Sequence, residues 1–231
     1  MAEPPEYNET FLREVDENLR RDQLRDFGKK YGGWLIAAVA LFLVASGGFI
    51  WWQQHRLQNS EQQVEQLAET FKNIGSGAPG NASQTLDQLS DSGSKGVRAA
   101  ALFTRAALAV QQNDLKLATA RYGQIVDDSS LPQPYRDAAL IRQTALQFDS
   151  VPPAEVISRL QPLAKPGNPW FGTAGEMTAM ALIKQGQQRQ AAELFEAIAK
   201  DPGVPETIRA RSVQIAGTLG VDASAALPPA Q

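Results

Sequence analysis

The sequence has no cysteine and only one histidine, His55, among its 231 residues. Without cysteine, the chain can form no disulfide, no thiolate metal site and no cysteine nucleophile. A single histidine excludes a His–His metal site and a relay of several histidines. Glycines at 75, 77 and 80 have the spacing of a nucleotide-binding fingerprint, but no predicted strand precedes them. We therefore predict no catalytic residue, no metal ligand and no cofactor, and we do not expect an enzyme.

The net charge of this chain is also small, −3 at pH 7. It has 22 Lys and Arg residues against 25 Asp and Glu, and its basic clusters lie only beside an apolar segment. A nucleic-acid-binding surface needs a strong positive field, so no nucleic-acid partner is predicted. Acidic pairs such as Asp127 and Asp128 have the pattern of solvated turns and helix faces. No small-molecule substrate is predicted either.

One long apolar segment is present, and it predicts a transmembrane helix. Residues 31–54 contain no charged residue, and the 19 residues from Trp34 to Trp52 would form a helix of about 28 Å, close to the thickness of a hydrocarbon core. Trp34, Trp51 and Trp52 lie at its ends, where indole rings favour the headgroup region. The alternatives are a buried core helix and a cleaved signal peptide. The acid-rich start and the lack of a small-residue cleavage site after the segment favour an uncleaved anchor.

Basic residues near the two ends of the segment predict its orientation. The N-terminal flank carries Arg20, Arg21, Arg25, Lys29 and Lys30, whereas the other flank has Arg56 and then no basic residue until Lys72. Positive residues concentrate on the cytoplasmic side, so the N-terminus is predicted inside. The rest of the chain then lies across the membrane, which in a bacterium is the periplasm. The predicted location is the bacterial inner membrane, with a single pass.

From residue 60 onward, the pattern predicts one helix after another. Ala, Leu and Gln are plentiful, β-branched alternation is scarce, and Gly- and Pro-rich breaks separate the segments. After a short helix ending near residue 92, three hairpins are predicted, and a capping helix over 207–219 follows. The six hairpin helices cover residues 97–112, 115–126, 135–148, 154–164, 170–185 and 188–200.

The second helices of these hairpins share a core pattern. A small residue occupies one position, a large one lies four residues later, and successive hairpins are 38 and 35 residues apart. These spacings are close to the tetratricopeptide period of about 34 residues. The alternative is an irregular helical bundle. The predicted repeat core comprises Ala118, Tyr122, Val156, Leu160, Ala191 and Phe195.

The predicted fold is therefore all-α, with one transmembrane helix followed by a tetratricopeptide-like hairpin repeat domain. The predicted layout is a charged cytoplasmic segment (1–30), the transmembrane helix (31–54), the periplasmic repeat domain (55–220) and a disordered tail (221–231).

Apolar residues on the first helices of the hairpins predict a surface for a protein partner. In stacked helical hairpins the first helices line the concave side. The alternative is that these side chains are core. The candidate groove residues are Phe103, Val110, Ile141, Phe148, Met180 and Ile183, with Ala107, Ala145 and Glu176 on the same faces.

The arrangement resembles the YfgM family, an ancillary subunit of the SecYEG translocon, in its alphaproteobacterial form. The resemblance covers roughly residues 10–220 and rests on the segments FLREVDENLRRDQLRDFGKKYGGWL and WWQQHRLQNSEQQVEQLAETF followed by loose repeats. It implies an inner-membrane protein near the translocon exit. There it would associate with a membrane-anchored periplasmic chaperone of the prolyl-isomerase type and assist exported chains. The long acidic start, Met1 to Asp16, departs from the shorter versions expected.

Two alternative functions remain open on the sequence. A membrane-tethered repeat scaffold for envelope-complex or cytochrome assembly has the same layout and differs only in its partner. An enzyme with an unfamiliar site would need convergent polar groups in a pocket. The adaptor function is favoured because no catalytic set of residues is present.

Overall fold

The computed structural model describes the backbone of residues 7–78 and 80–223, and the side chains of these ranges other than 7–32, 35, 36 and 56–59. The described residues form nine α-helices and no β-strand, which confirms the predicted all-α class. The helices are α1 (Tyr7–Gly75), α2 (Ala82–Leu89), α3 (Lys95–Gln111), α4 (Leu115–Asp127), α5 (Gln133–Gln147), α6 (Pro153–Leu160), α7 (Phe171–Lys184), α8 (Gln188–Lys200) and α9 (Glu206–Thr218). The chain divides into two compact units, one ending at Glu61 and one starting at Gln62.

The N-terminal unit contains the apolar stretch that the sequence assigns to a membrane. Large apolar side chains at consecutive positions of α1, including Leu41, Phe42 and Val44, are exposed. Leaving such a side chain in water forfeits about 1.5–3 kcal/mol relative to burying it, so this helix is unsuited to an aqueous surface. Within the described part of the chain, α1 is the one helix long and apolar enough to cross a membrane. Its apolar window has no buried residue.

The C-terminal unit is a stack in which the helices pack mainly on their neighbours along the chain, although α5 and α6 touch each other only slightly. The largest contacts join α3 with α4, α4 with α5, α7 with α8, and α8 with α9. Contacts between helices two apart, such as α5 with α7, are much smaller. This neighbour-by-neighbour packing is typical of repeat proteins, because one hairpin cannot bury its own apolar surface.

The second helix of each predicted hairpin supplies the core between neighbours. A small residue lets the two helices of a hairpin approach, and the large residue one turn later fills the space between hairpins. Tyr122 is nearly inaccessible to solvent and the other five residues are completely so: Ala118, Val156, Leu160, Ala191 and Phe195.

A further hairpin precedes these three. Helix α2 carries the same small and large residues, Ala82 and Leu86, 36 residues before Ala118 and Tyr122. Both are buried in one cluster with Leu67, which lies near the end of α1. The last turns of α1 therefore act as the first helix of this hairpin. From the sequence, only the short helix ending near residue 92 is predicted here, because residues 63–73 have the pattern of a continuation of the membrane helix.

Helix α6 is shorter than the sequence predicts. The predicted helix covers residues 154–164, whereas the observed one ends at Leu160. The following residues form a turn in which Leu163 N donates to Leu160 O at 2.9 Å. Leu163 is nevertheless buried.

Asp87 of α2 connects three consecutive helices of the stack. Its Oδ1 lies 3.2 Å from Arg105 Nε on α3 and 2.8 Å from Arg121 Nη2 on α4. Both arginine side chains are mostly buried, so the ion pairs are screened less than pairs at the surface. This shared carboxylate fixes how α2 lies across the hairpin formed by α3 and α4.

The last helix closes the stack with polar contacts that the sequence predicts only in part. Arg211 of α9 makes a bidentate pair with Glu176 of α7, in which Nη2 lies 2.7 Å from Oε2. The hydrogen bond that Arg211 donates to Glu176 raises the pKa of Arg211 above its ordinary value. Glu176 is therefore engaged within the domain. Beyond α9, Ala223 is buried in the same cluster as Phe171, so packed structure extends past residue 220, the predicted end of the domain.

Two glycines of α7 allow α8 and the α8–α9 connection to approach closely. A Cβ atom at Gly172 would lie 2.8 Å from Val204 Cγ1, and one at Gly175 would lie 3.0 Å from Ile198 Cδ1. Carbon atoms pack at about 3.5–4.0 Å, so a side chain at either position would push the segments apart.

We expect Gly172→Ala to destabilise the domain by about 1–3 kcal/mol, because the added methyl group overpacks a closed core. Gly217→Ala on α9 is the matched control, since a Cβ there meets no atom within 4 Å. Replacing an exposed helical glycine by alanine stabilises a helix by about 0.5–1 kcal/mol. Thermal unfolding followed by circular dichroism should therefore shift in opposite directions for the two variants. A lower melting temperature for both would contradict the close-approach explanation.

Candidate protein-interaction surface

A pocket of about 270 Å³ opens between the first helices of two successive hairpins. The walls are Ala107 and Val110 of α3 and Ala145 of α5, and all three residues are exposed. Tyr122 of α4 contributes to the lining although its ring is almost inaccessible to solvent. The remaining lining residues are Arg142 and Leu146 of α5. The pocket is thus apolar, with one cationic group among its lining residues.

The lining residue Tyr122 is held by aromatic packing. The Phe103 ring of α3 meets the Tyr122 ring edge-on, with centroids 5.9 Å apart and planes at 61°. Such edge-to-face pairs contribute about 0.5–1.5 kcal/mol beyond the area that they bury. The two rings pre-form this part of the pocket, so an apolar side chain could enter without displacing core residues.

Near the C-terminal ends of α5 and α7, the surface consists of an aromatic ring that is covered by a charged side chain. Lys184 Nζ lies 4.4 Å from the centroid of the Phe148 ring and 2.5 Å from Asp149 Oδ1. The ammonium group therefore covers the ring face that Phe148 would otherwise present to a partner. Met180 lies one helical turn before Lys184, and 40% of its side chain is exposed. Met180 is the exposed apolar residue at this end of the surface.

The structure separates the six predicted groove residues into three groups. Val110 and Met180 are exposed, with Val110 38% accessible. Phe103, Phe148 and Ile183 are half-buried and pack against core clusters. Ile141 is only 6% exposed and belongs to the cluster formed by α5, α6 and α7, so it does not line an open groove. Ile141 is buried because residues of both α6 and α7 belong to its cluster, among them Val156 and Ala174.

Two charged residues of this surface were missed at the sequence level. Arg142 and Lys184 interrupt the apolar faces of α5 and α7, and charged residues on a helix are ordinarily assigned to solvent. The available signal was their position beside Ile141 and Ile183 on the faces predicted to line a groove. The sequence position alone does not show whether such a residue borders the interaction surface or is fully solvated. That distinction requires the positions of the neighbouring helices.

A second, wider groove of about 660 Å³ lies along the outer face of α4. Lys116, Ala120 and Asp127 of α4 line it together with Gln143 of α5. Gln143 Nε2 donates to Thr119 O at 3.3 Å, and it approaches so closely that a Cβ on Gly123 would lie only 2.9 Å away. The groove is open and is lined mainly by residues with polar or charged side chains, so it offers no large apolar side chain as an anchoring site.

The loop after α4 is organised by a carboxylate. Ser130 Oγ donates to Asp128 Oδ1 at 2.6 Å, and Asp128 Oδ2 lies 3.1 Å from Arg98 Nε. The hydrogen bond from the Ser130 hydroxyl, supported by the charge of Arg98, lowers the pKa of Asp128 below its ordinary value. The carboxylate is therefore ionised and held in place, which makes Asp128 a structural residue rather than an acid–base group.

At the predicted membrane interface, the tryptophans Trp34, Trp51 and Trp52 are all exposed on α1. The Trp51 ring stacks on His55 with centroids 5.7 Å apart and planes at 6°. This contact gives His55 a partner on its own helix. The side chains of Lys29 and Lys30 lie outside the part of the chain that the structure describes.

Comparison with known proteins gives one match. The family described as a tetratricopeptide repeat-like domain matches residues 25–215, which is most of the chain. No curated protein and no solved structure matches the sequence significantly. The match covers the described hairpins from α2 through α8 and most of α9, in agreement with the predicted repeat architecture.

Proposed function

Because this chain belongs to the tetratricopeptide repeat-like domain family, we propose that it is a membrane-anchored, non-catalytic scaffold for protein partners. Repeat domains of this kind generally act through the surface that their stacked helices present, rather than through catalysis. The observation that carries the proposal is the apolar pocket between α3 and α5, because it offers an exposed anchoring site for a partner side chain.

In this proposal, residues 31–54 span the membrane, and the repeat domain, which packs as far as Ala223, lies on the far side. The exposed apolar side chains of α1 and the tryptophans at both ends of the stretch support the span. The basic residues before it support an N-terminus in the cytoplasm, with residues 1–30 as a charged cytoplasmic segment. The proposed location is the bacterial inner membrane, with the repeats in the periplasm.

The finer proposal concerns the partner. Residues 10–220 resemble the YfgM family, and this supports association with the Sec translocon and a membrane-anchored periplasmic chaperone. Exported chains expose apolar segments before they fold, and an apolar pocket of about 270 Å³ is large enough to accept one such side chain. A scaffold for envelope-complex or cytochrome assembly is the second candidate. The two candidate functions differ in the identity of the bound protein.

Photocrosslinking in intact membranes tests this function. A photoreactive residue at Val110, which lines the pocket, should crosslink to a translocon subunit or a periplasmic chaperone identified by mass spectrometry. The same residue at Gln190, which is exposed on α8 outside the pocket, is the control. Exclusive recovery of assembly factors for envelope complexes would favour the second candidate. Equal products from both positions would contradict a specific role for the pocket.

Filling the pocket between α3 and α5 with a large side chain should block binding of the partner. We expect Ala145→Trp to reduce the Val110 crosslink by at least about tenfold, because a central contact of an interface contributes about 2 kcal/mol or more. Ala145 is exposed, so the substitution leaves the core intact. Ala120→Trp is the matched control, since Ala120 is equally exposed but lies on the outer groove of α4. If the two variants reduce the crosslink to the same extent, the pocket is not the binding site.

A further inference from the structure

Arg142 brings an unpaired positive charge to the pocket between α3 and α5. It is exposed, it lines the pocket, and it makes no hydrogen bond or ion pair with any other described residue. Every other arginine between residues 62 and 223 makes at least one such contact within that range. On the same surface, Lys184 is paired with Asp149. Arg142 therefore differs from the other arginines of the domain in being available to an anion from outside.

The residues around Arg142 explain why it is unpaired. An arginine on a helix pairs with carboxylates that lie three or four residues away. On α5 these positions hold Ala138, Ala139, Ala145 and Leu146. None of the residues that line the pocket carries a carboxylate. The positive charge of Arg142 is thus not neutralised from within the pocket, and a partner that brings a carboxylate would complement it.

The spacing between Arg142 and the apolar wall fits an extended peptide segment. Arg142 precedes Ala145 and Leu146 by three and four residues on the same face of α5, which is about 4.5–6 Å along the helix axis. In an extended segment, side chains two residues apart point the same way and lie about 6.5–7 Å apart. An apolar side chain in the pocket therefore brings the side chain two positions away close to Arg142. A carboxylate there can accept two parallel hydrogen bonds from the guanidinium group.

We infer that the pocket binds an extended partner segment in which an Asp or Glu lies two residues from an apolar anchor. This inference deepens the proposed function and rests on it, because it specifies the chemistry of the partner at the same pocket. The face of an anionic membrane is the less suitable occupant. Binding to such a membrane requires a cluster of basic residues, whereas Arg142 is the one basic residue that lines the pocket.

Photoreactive peptides test this recognition with the full-length protein in detergent micelles. The probes are Gly/Ser peptides with acetylated and amidated ends, which carry photoleucine as the apolar anchor and Asp two residues before or after it. Matched peptides carry Asn in place of Asp. We expect one or both Asp peptides to crosslink about two- to fivefold more than their Asn counterparts, as is typical of an exposed ion pair. Salt at about 0.5 M should remove this preference, because it screens exposed charges.

Variants of Arg142 separate charge recognition from a merely structural role. Arg142→Gln should lose the preference for Asp but crosslink the Asn peptides as the wild type does, because the apolar walls remain. Arg142→Glu should favour the Asn peptides, since its carboxylate repels Asp. Arg189→Gln is the matched control, because Arg189 is an exposed arginine of α8 that lies outside the pocket. It should keep the full preference for Asp.

The site of crosslinking, mapped by mass spectrometry, distinguishes failure of this inference from failure of the proposed function. If Asp and Asn peptides both crosslink to pocket residues with equal yield, the acidic requirement is wrong and the pocket remains a binding site. If no peptide crosslinks to pocket residues, the proposed function of the pocket fails as well. A preference for Asp that persists in Arg142→Gln also overturns the inference. So does a preference shown solely by an Asn peptide whose free C-terminus supplies the carboxylate.

Discussion

Phe195→Ala is expected to lower the stability of the repeat domain by about 3–5 kcal/mol, because it removes a fully buried ring and leaves a cavity. Phe195 is the large residue of α8 and belongs to the cluster that joins α7, α8 and α9. A loss of this size should lower the melting temperature by about 10 °C or more in a domain of this length. Thermal unfolding of the full-length protein, followed by circular dichroism, measures the change.

Tyr135→Ala is the matched control for Phe195→Ala. Tyr135 is also aromatic, but it lies exposed in the first turn of α5. Its replacement should change stability by no more than about 0.5 kcal/mol, as surface substitutions usually do. Limited proteolysis in membranes should show the same contrast, with rapid cleavage of the Phe195 variant alone. Equal melting temperatures for the two variants would contradict the assignment of Phe195 to the repeat core.

The proposed orientation of the chain in the membrane predicts an all-or-none result in thiol labelling. A cysteine replacing Gln190, an exposed residue of α8, should react with a membrane-impermeant maleimide in cells whose outer membrane is permeable. A cysteine replacing Asn18 should react only after the inner membrane is broken. The physical reason is that a charged reagent cannot cross the hydrocarbon core, while the concentration of basic residues before the span favours the cytoplasm for the N-terminus.

The wild-type chain serves as the blank in this experiment, because it has no thiol to label. Labelling of both positions in intact cells, or the opposite pattern, would contradict the proposed topology. Quantifying labelled protein on a gel gives the result directly. The outcome does not depend on knowing the partner, so it tests the anchor separately from the function of the pocket.

Much of the repeat domain follows from the sequence because its core pattern is local. The helix over Gln188–Lys200 coincides with its prediction, since a Gly turn precedes it and Asp201 and Pro202 follow it. The buried small and large residues of α4, α6 and α8 are also those predicted. Their spacing of four residues within a helix, repeated every 35–38 residues, leaves few other ways to bury them.

The missed features depend on contacts between elements. The first hairpin was incompletely predicted because Leu67 lies in a segment that also continues a membrane helix. Ile141 and Val110 are both apolar residues of first helices, yet one is buried and the other lines a pocket. On a first helix, the face that packs on the second helix adjoins the face that lines the groove. Only the positions of α6 and α7 show which of the two faces carries a given apolar residue. The pocket itself forms between two hairpins and has no signature within either one.

The dominance of contacts between sequence neighbours has a consequence for how the domain acquires its structure. Each hairpin closes a short loop, such as that at Asn113 and Asp114, where Asp114 accepts a hydrogen bond from Leu117 N at 3.0 Å. Low contact order favours rapid folding, because little chain entropy is lost before contacts form. A domain of this kind can add its hairpins one by one as the polypeptide emerges, beginning with the N-terminal hairpin. It needs neither oxidation nor distant strand pairing to reach its final state.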